Sequence, residues 1–120
     1  MKNDNFKEKF NERLVNFSLE TIKLCELLKK DDARIIADQL LRSATSVGAN
    51  IFEAKASNSK KDYIYFFHIA LKSANETLYW LILVKKSKAK FYNLANKLYN
   101  EAEEISKILG SGIITMKKKQ

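Results

Sequence analysis

Apolar residues return every three or four positions along most of this chain, the period of an α-helix with one buried face. From about Asp4 to Lys30, Phe6, Phe10, Leu14, Phe17, Leu24 and Leu28 share one side of such a helix, and Val15, Ile22 and Cys25 form an adjacent stripe. A face that wide exceeds the seam of a two-stranded coiled coil and predicts packing against more than one neighbour. The polar stretch Lys29 to Asp32 predicts a turn, with Asp31 or Asp32 capping a second helix over about residues 33–56. Its apolar stripe is Ile36, Leu40, Ala44, Val47, Ile51 and Ala54. Ser57, Asn58 and Ser59 break the pattern, and Ser59 followed by Asp62 resembles a capping box that starts a third helix, about 59–86. That helix is apolar around most of its circumference, with Tyr63, Phe66, Phe67, Ile69, Leu71, Leu78, Trp80 and Ile82 among its residues. It therefore calls for burial on all sides. A fourth helix, about 88–109, carries Phe91, Leu94, Leu98, Ala102, Ile105 and Leu109 up to a stop predicted at Gly110-Ser111-Gly112.

Connections this short force consecutive helices to lie antiparallel, so the expected fold is all-α, an up-down-up-down four-helix bundle over residues 1–112. Residues 113–120, IITMKKKQ, are expected to form a flexible basic tail. Composition agrees: 120 residues with 46% apolar content suit one domain with one core, and three glycines with no proline leave little to interrupt long helices. Cys25 is the single cysteine, which excludes a disulfide framework and fits a reducing, cytoplasmic setting. The longest apolar run, Leu78 to Val84, is far too short to span a membrane, and the amino-terminal lysines precede no apolar run, so neither membrane insertion nor export is expected.

Recognisable catalytic chemistry is missing from the pattern. His68, the single histidine, has Tyr65 rather than Glu three residues before it, so the Glu-x-x-His spacing of di-iron bundles is absent. His68 and Cys25 read as packing residues, since no third group orients them as a nucleophilic pair. Gly48 sits inside a helical pattern and makes no phosphate loop. Glu101, Glu103 and Glu104 alternate with lysines as a solvated face does. The expectation is a protein that binds rather than catalyses, with no cofactor and no metal.

Charge supplies the first pointer to a partner. Lys and Arg exceed Asp and Glu by 22 to 14, a formal +8 that attracts polyanions. Lysines gather near both predicted ends of the bundle. Lys29, Lys30, Lys85, Lys86, Lys88 and Lys90, with Arg34, lie at one end. Lys60, Lys61, Lys117, Lys118 and Lys119, with Lys55, lie at the other. They are candidate phosphate contacts, although helix carboxyl ends favour lysine in any case.

The second half of helix two has an unusual polar face. In QLLRSATSVGANIFEA, Gln39 to Ala54, a small and mostly neutral stripe of Gln39, Ser43, Ser46, Asn50 and Glu53 runs beside the apolar one. Gly48 costs about 1 kcal/mol of helix propensity relative to Ala, which close approach of another backbone would justify. One reading places the stripe against helix three as a buried polar network of Arg42, Asn50, Glu53 and Glu76, with Ser73 at the contact. The alternative is a groove that the same residues line for a ligand.

This segment, followed by SKKDYIYFFHIALKSANETLYWL, Ser59 to Leu81, resembles the four-helix bundle family encoded in intervening sequences of bacterial 23S ribosomal RNA genes, loosely called ribosomal proteins. The specific matches are Arg42, Ser43, Ser46, Asn50 and Glu53 in helix two and Ala70, Ser73 and Glu76 in helix three. Ala54 departs from the glycine common after the Glu in that family, so helix two is expected to end later. That family looks related to the accessory variability protein of diversity-generating retroelements, a basic pentameric barrel that binds nucleic acid and a reverse transcriptase. The resemblance implies a homo-oligomer, a pentamer, with a nucleic-acid-associated accessory role toward RNA or DNA. A protein-interaction or scaffold module without nucleic-acid binding is the alternative.

Overall fold

A computed structural model describes residues 2–119 of the chain. Four helices run along it: α1 (Lys2–Lys30), α2 (Arg34–Lys55), α3 (Lys60–Ser87) and α4 (Tyr92–Lys118), with a short 3₁₀ turn, Ala89–Phe91, leading into the last. Helices of this length lie side by side in a rod 47 × 24 × 20 Å, with consecutive helices antiparallel. The closest packing is α2 on α3, then α3 on α4 and α1 on α2, whereas α1 and α4 touch least and leave the rod open along one seam.

Alanines set the spacing of the core. Ala37, Ala44, Ala70, Ala74, Ala95 and Ala102 are buried in one cluster with Leu14, Leu24, Leu28, Leu40, Leu81, Ile105 and Leu109. Small residues let helix axes approach while the leucines interdigitate between them. Gly48 lies on the α1 side of α2, where an added Cβ would stand 3.6 Å from Leu14 Cβ. That is an ordinary contact, so Gly48→Ala is expected to raise stability by about 0.5–1 kcal/mol in urea denaturation, through helix propensity alone.

The turn between α1 and α2 differs from the expected cap. Asp32 adopts φ 61°, and the amide of Ala33 donates to Leu28 O at 2.9 Å while that of Asp32 reaches Lys29 O at 3.4 Å. This closes α1 with a Schellman motif, a left-handed position that Asp tolerates. Ala33 then heads α2 without a side-chain cap. Asp31 and Asp32 do not cap α2, because one shapes the turn and the other is taken by lysines of the α3–α4 turn. Ser59 caps α3 as expected, accepting from the Asp62 amide at 3.1 Å.

The expected stop at Gly110-Ser111-Gly112 and the flexible tail are not observed: α4 runs through both glycines to Lys118. Neither glycine has positive φ, so neither forms the left-handed cap that ends a helix. The apolar stripe Ile105, Leu109 continues at the same spacing to Ile113, which is 5% exposed, and its burial offsets the helix cost of glycine. Gln120 lies outside the described residues.

Two faces remain partly uncovered. In the second stripe of α1 only Cys25 is buried, while Val15 and Ile22 stay 45% and 37% exposed. On α3, Tyr65 and Tyr79 are exposed, and Ile69, Ile82 and Leu83 are half-buried. No helix among the described residues is long and apolar enough to cross a membrane.

Candidate nucleic-acid interface

The polar stripe of α2 meets α3, as one of its two readings requires. The hydroxyls of Ser43 and Thr77 share a buried hydrogen bond of 3.0 Å, and Ser73 donates to Ser46 Oγ at 2.9 Å. Asn50 donates to Ser46 Oγ at 3.0 Å and to Ser46 O at 2.8 Å. Toward solvent, Arg42 pairs with Glu76 and with Gln39, and Trp80 Nε1 donates to Glu76 at 2.8 Å. Among the described residues no buried side-chain nitrogen or oxygen lacks a partner. A fully satisfied ladder fixes the register of α2 on α3 and leaves nothing aimed at a ligand.

Three members depart from the expected network. Arg42 and Glu76 close its rim rather than its core, with side chains 56% and 38% exposed. Glu53 is exposed and takes no place in the ladder. Thr77 and Trp80, which lie outside the sequence motif, complete it. Each stands four residues beyond a motif residue, Ser73 and Glu76, and so shares its face.

Hydrogen bonds from Trp80 and then Arg42 hold the Glu76 carboxyl below its usual range, and Lys90 and Lys88 do the same for Asp31. A carboxylate depressed in the folded state contributes stability above its unfolded pKa, about 4 for Asp and Glu. That contribution disappears as pH falls through the folded value. Thermal melts between pH 6 and pH 2.5 are therefore expected to drop below about pH 4. An Asp31→Asn, Glu76→Gln variant should melt a few degrees lower at pH 6 and show a shallower acid limb.

The two lysine ends prove unequal. Where α1 and α3 finish, Lys88 and Lys90 contact Asp31 at 3.0 and 2.9 Å, and Lys29 contacts Asp38 at 3.3 Å. Lys85 packs over the Tyr99 ring, 4.0 Å from its centroid, and donates to Asn96 at 3.2 Å. Lys30, Arg34 and Lys86 are exposed there with no ionic partner among the described residues. At the opposite end Lys60, Lys61, Lys117, Lys118 and Lys119 are all exposed and none forms an ion pair among the described residues. Met116 lines one groove with Lys55 and Lys60, which places the last turn of α4 beside the α2–α3 turn. The rod keeps the two ends several Debye lengths apart at physiological salt, so they act independently.

Surface grooves differ in charge as well. The open α1–α4 seam holds a groove of about 410 Å³ floored by Phe17, Leu24, Leu27, Leu94 and Leu98, with Glu20, Glu101 and Glu104 beside Lys23 and Lys97 on its rim. Arg13 and Glu101 bridge the seam through two hydrogen bonds of 2.6 and 2.8 Å. At the lysine end, grooves of about 490 and 470 Å³ lie on either side of Phe10, Tyr63 and Phe67. Lys7, Lys55 and Lys107 stand on their edges, and Glu8 is their one acidic lining residue. Lys7 and Lys107 carry no signal of this in the sequence, because they lie within helices and reach this end only through the packing.

Cys25 is buried, its Sγ donating to Ala37 O at 3.3 Å, and burial pushes its thiol up to about 11. A thiol held neutral in this way is a poor nucleophile. His68 is half-buried on α3, and among the described residues no group of three or more His, Cys, Asp or Glu lies close enough together to hold a metal ion.

Comparison with known proteins gives these features a family. A search of curated proteins finds no match. Among solved structures, the crystal structure of a protein of unknown function from the S23 ribosomal protein family of Bacteroides thetaiotaomicron is 36% identical, with a TM-score of 0.81 over 86% of this chain and 96% of that one. The family model of the 23S rRNA-intervening sequence protein matches residues 8–111, which include all of α2 and α3 with their polar ladder. On that match the chain belongs to the 23S rRNA-intervening sequence protein family.

Proposed function

We propose that the protein is a non-enzymatic, homo-oligomeric accessory protein that binds the phosphate backbone of nucleic acid through one end of its bundle. The observation that carries this reading is the placement of unpaired charge: five exposed lysines at the α2–α3 turn and the carboxyl end of α4, none in an ion pair among the described residues, against an opposite end where Asp38 and Asp31 engage Lys29, Lys88 and Lys90, and Tyr99 and Asn96 engage Lys85. A lysine that neutralises a phosphate displaces a counterion condensed on the nucleic acid, and a carboxylate already paired with that lysine competes with the phosphate for it. The family name and the name of the structural neighbour both refer to ribosomal components, which makes RNA the first polyanion to try. The buried thiol of Cys25 suits a cytoplasmic setting.

Assembly into a pentamer is part of the same proposal. Leu27, Leu94, Tyr65 and Tyr79 are each at least 39% exposed, on the α1–α4 seam and on the outer face of α3. Burying such faces head to tail closes a ring and multiplies the charge of the lysine end. Light scattering of the purified protein, alone and with short RNA and DNA at low and high salt, tests both parts. The expected result is a pentamer that takes up nucleic acid at low salt and releases it at high salt; a monomer indifferent to both nucleic acids overturns the proposal.

A second reading rests on Ile35 and Phe52, 80% and 48% exposed on α2. It makes the chain a scaffold for a protein partner, with its charge incidental. Partners that remain bound after nuclease treatment would favour it.

A further inference from the structure

The lysine end differs from an ordinary basic patch in what lies beneath it. Phe6 and Phe10 of α1 are stacked with centroids 6.3 Å apart and 19° between planes, and Tyr63 and Phe67 of α3 lie 5.0 Å apart at 30°. These two pairs come from helices diagonal in the bundle, and they fill its end between the carboxyl turns of α2 and α4. The fill is incomplete: Phe6 remains 60% exposed, and open grooves of about 490 and 470 Å³ flank the rings. Tyr63 lines both grooves and also the third, smaller one at the α2–α3 turn, so the three form one surface.

The sequence of α4 helps keep this surface open. Ser111 and Gly112 line the α4 side of the aromatic groove of about 470 Å³, and a Cβ at Gly112 would already stand 3.8 Å from the Phe67 ring. Longer side chains there would fill space that the glycine leaves, at a cost to helix propensity that the chain accepts.

Charge selects the occupant. Around the aromatic grooves Lys7, Lys55, Lys60 and Lys107 face one acidic residue, Glu8, whereas the apolar α1–α4 groove sets three glutamates against Lys23 and Lys97. A second copy of this cationic end would be repelled, and an anionic occupant is favoured. Flat apolar rings beside spaced cations match an anion that alternates planar bases with phosphates. In a duplex those bases are already stacked within the helix and offer no free face.

We infer that the lysine end is a stacking platform for single-stranded nucleic acid. An unpaired base packs against Phe6 and Tyr63, and the flanking phosphates meet Lys7, Lys55, Lys60 and Lys107. The inference rests on the nucleic-acid reading above and names the form of nucleic acid that the same end takes.

Fluorescence anisotropy tests it, with a labelled single-stranded RNA of mixed sequence and the corresponding duplex of equal length, titrated with the intact protein. The single strand is expected to bind about tenfold more tightly than the duplex. Phe6→Leu, which keeps an apolar side chain at an exposed position but removes the ring, should weaken the single strand about five- to tenfold and leave the duplex unchanged. Lys60→Gln should weaken both. Equal affinity for the two forms, or a Phe6→Leu protein that binds the single strand as the parent does, overturns the platform while leaving backbone binding standing. No binding of either form removes the underlying reading as well. A Phe6→Leu protein with unchanged affinity and a smaller light-scattering mass would assign the grooves to a neighbouring copy instead.

Discussion

Replacing Lys60, Lys61, Lys117, Lys118 and Lys119 together with glutamine is expected to lower affinity for RNA roughly 10²-fold or more at about 0.1 M salt. The slope of log affinity against log salt should become shallower by about 0.7–0.9 for each of these lysines that contacts a phosphate. Glutamine keeps the length and helix propensity of lysine, so the bundle should remain folded, less a few tenths of a kcal/mol from each charge lost near the carboxyl end of α4. The opposite end provides the control. Lys85, Lys88 and Lys90 are held by Tyr99, Asn96 and Asp31. Their replacement by glutamine should leave the slope nearly unchanged while loosening the α3–α4 turn. Equal effects from the two sets would mean that net charge, not its placement, governs binding.

Leu81→Ala is expected to cost about 2–5 kcal/mol in urea denaturation, a large share of the stability of a domain this size. Leu81 lies in α3, the helix that packs on both α2 and α4, and its side chain is fully buried. Removing it takes atoms from the layer that joins those three helices. An exposed leucine gives the contrast: Leu94, 47% exposed on the open seam, should lose far less stability as alanine. If the two substitutions cost the same, the seam is buried in solution, as assembly through it would require.

The sequence made the helices legible because their apolar spacing is regular and their connections short. It also pointed the small, neutral face of Ser43 and Ser46 toward a close neighbour, and in the structure Ser46 meets Ser73 and Ser43 meets Thr77 on α3. What it could not supply was the competition between local signals and packing. Gly110 and Gly112 carry a stop signal that the burial of Ile113 overrides. Asp31 and Asp32 have the chemistry of caps, but lysines from a turn distant in sequence and the closure of α1 claim them first. The lysine clusters look alike in sequence because only the fold brings Asp38 of α2 to Lys29, and Asp31 of the α1–α2 turn to Lys88 and Lys90. The aromatic end is hidden for a related reason: Phe6, Phe10, Tyr63 and Phe67 read as core residues of two separate helices, and only their diagonal placement leaves them at a shared opening.

The weak contact between α1 and α4 bears on how the chain reaches this structure. Every strong helix–helix interface joins neighbours along the chain across a turn of a few residues, and the one pairing that brings the two ends of the sequence together is the loosest. The search for native contacts is therefore mostly local, with little loop entropy lost before contacts form, a topology associated with folding in microseconds to milliseconds. Closing the seam is not needed to hold the other three interfaces together, so it can form late and reopen early.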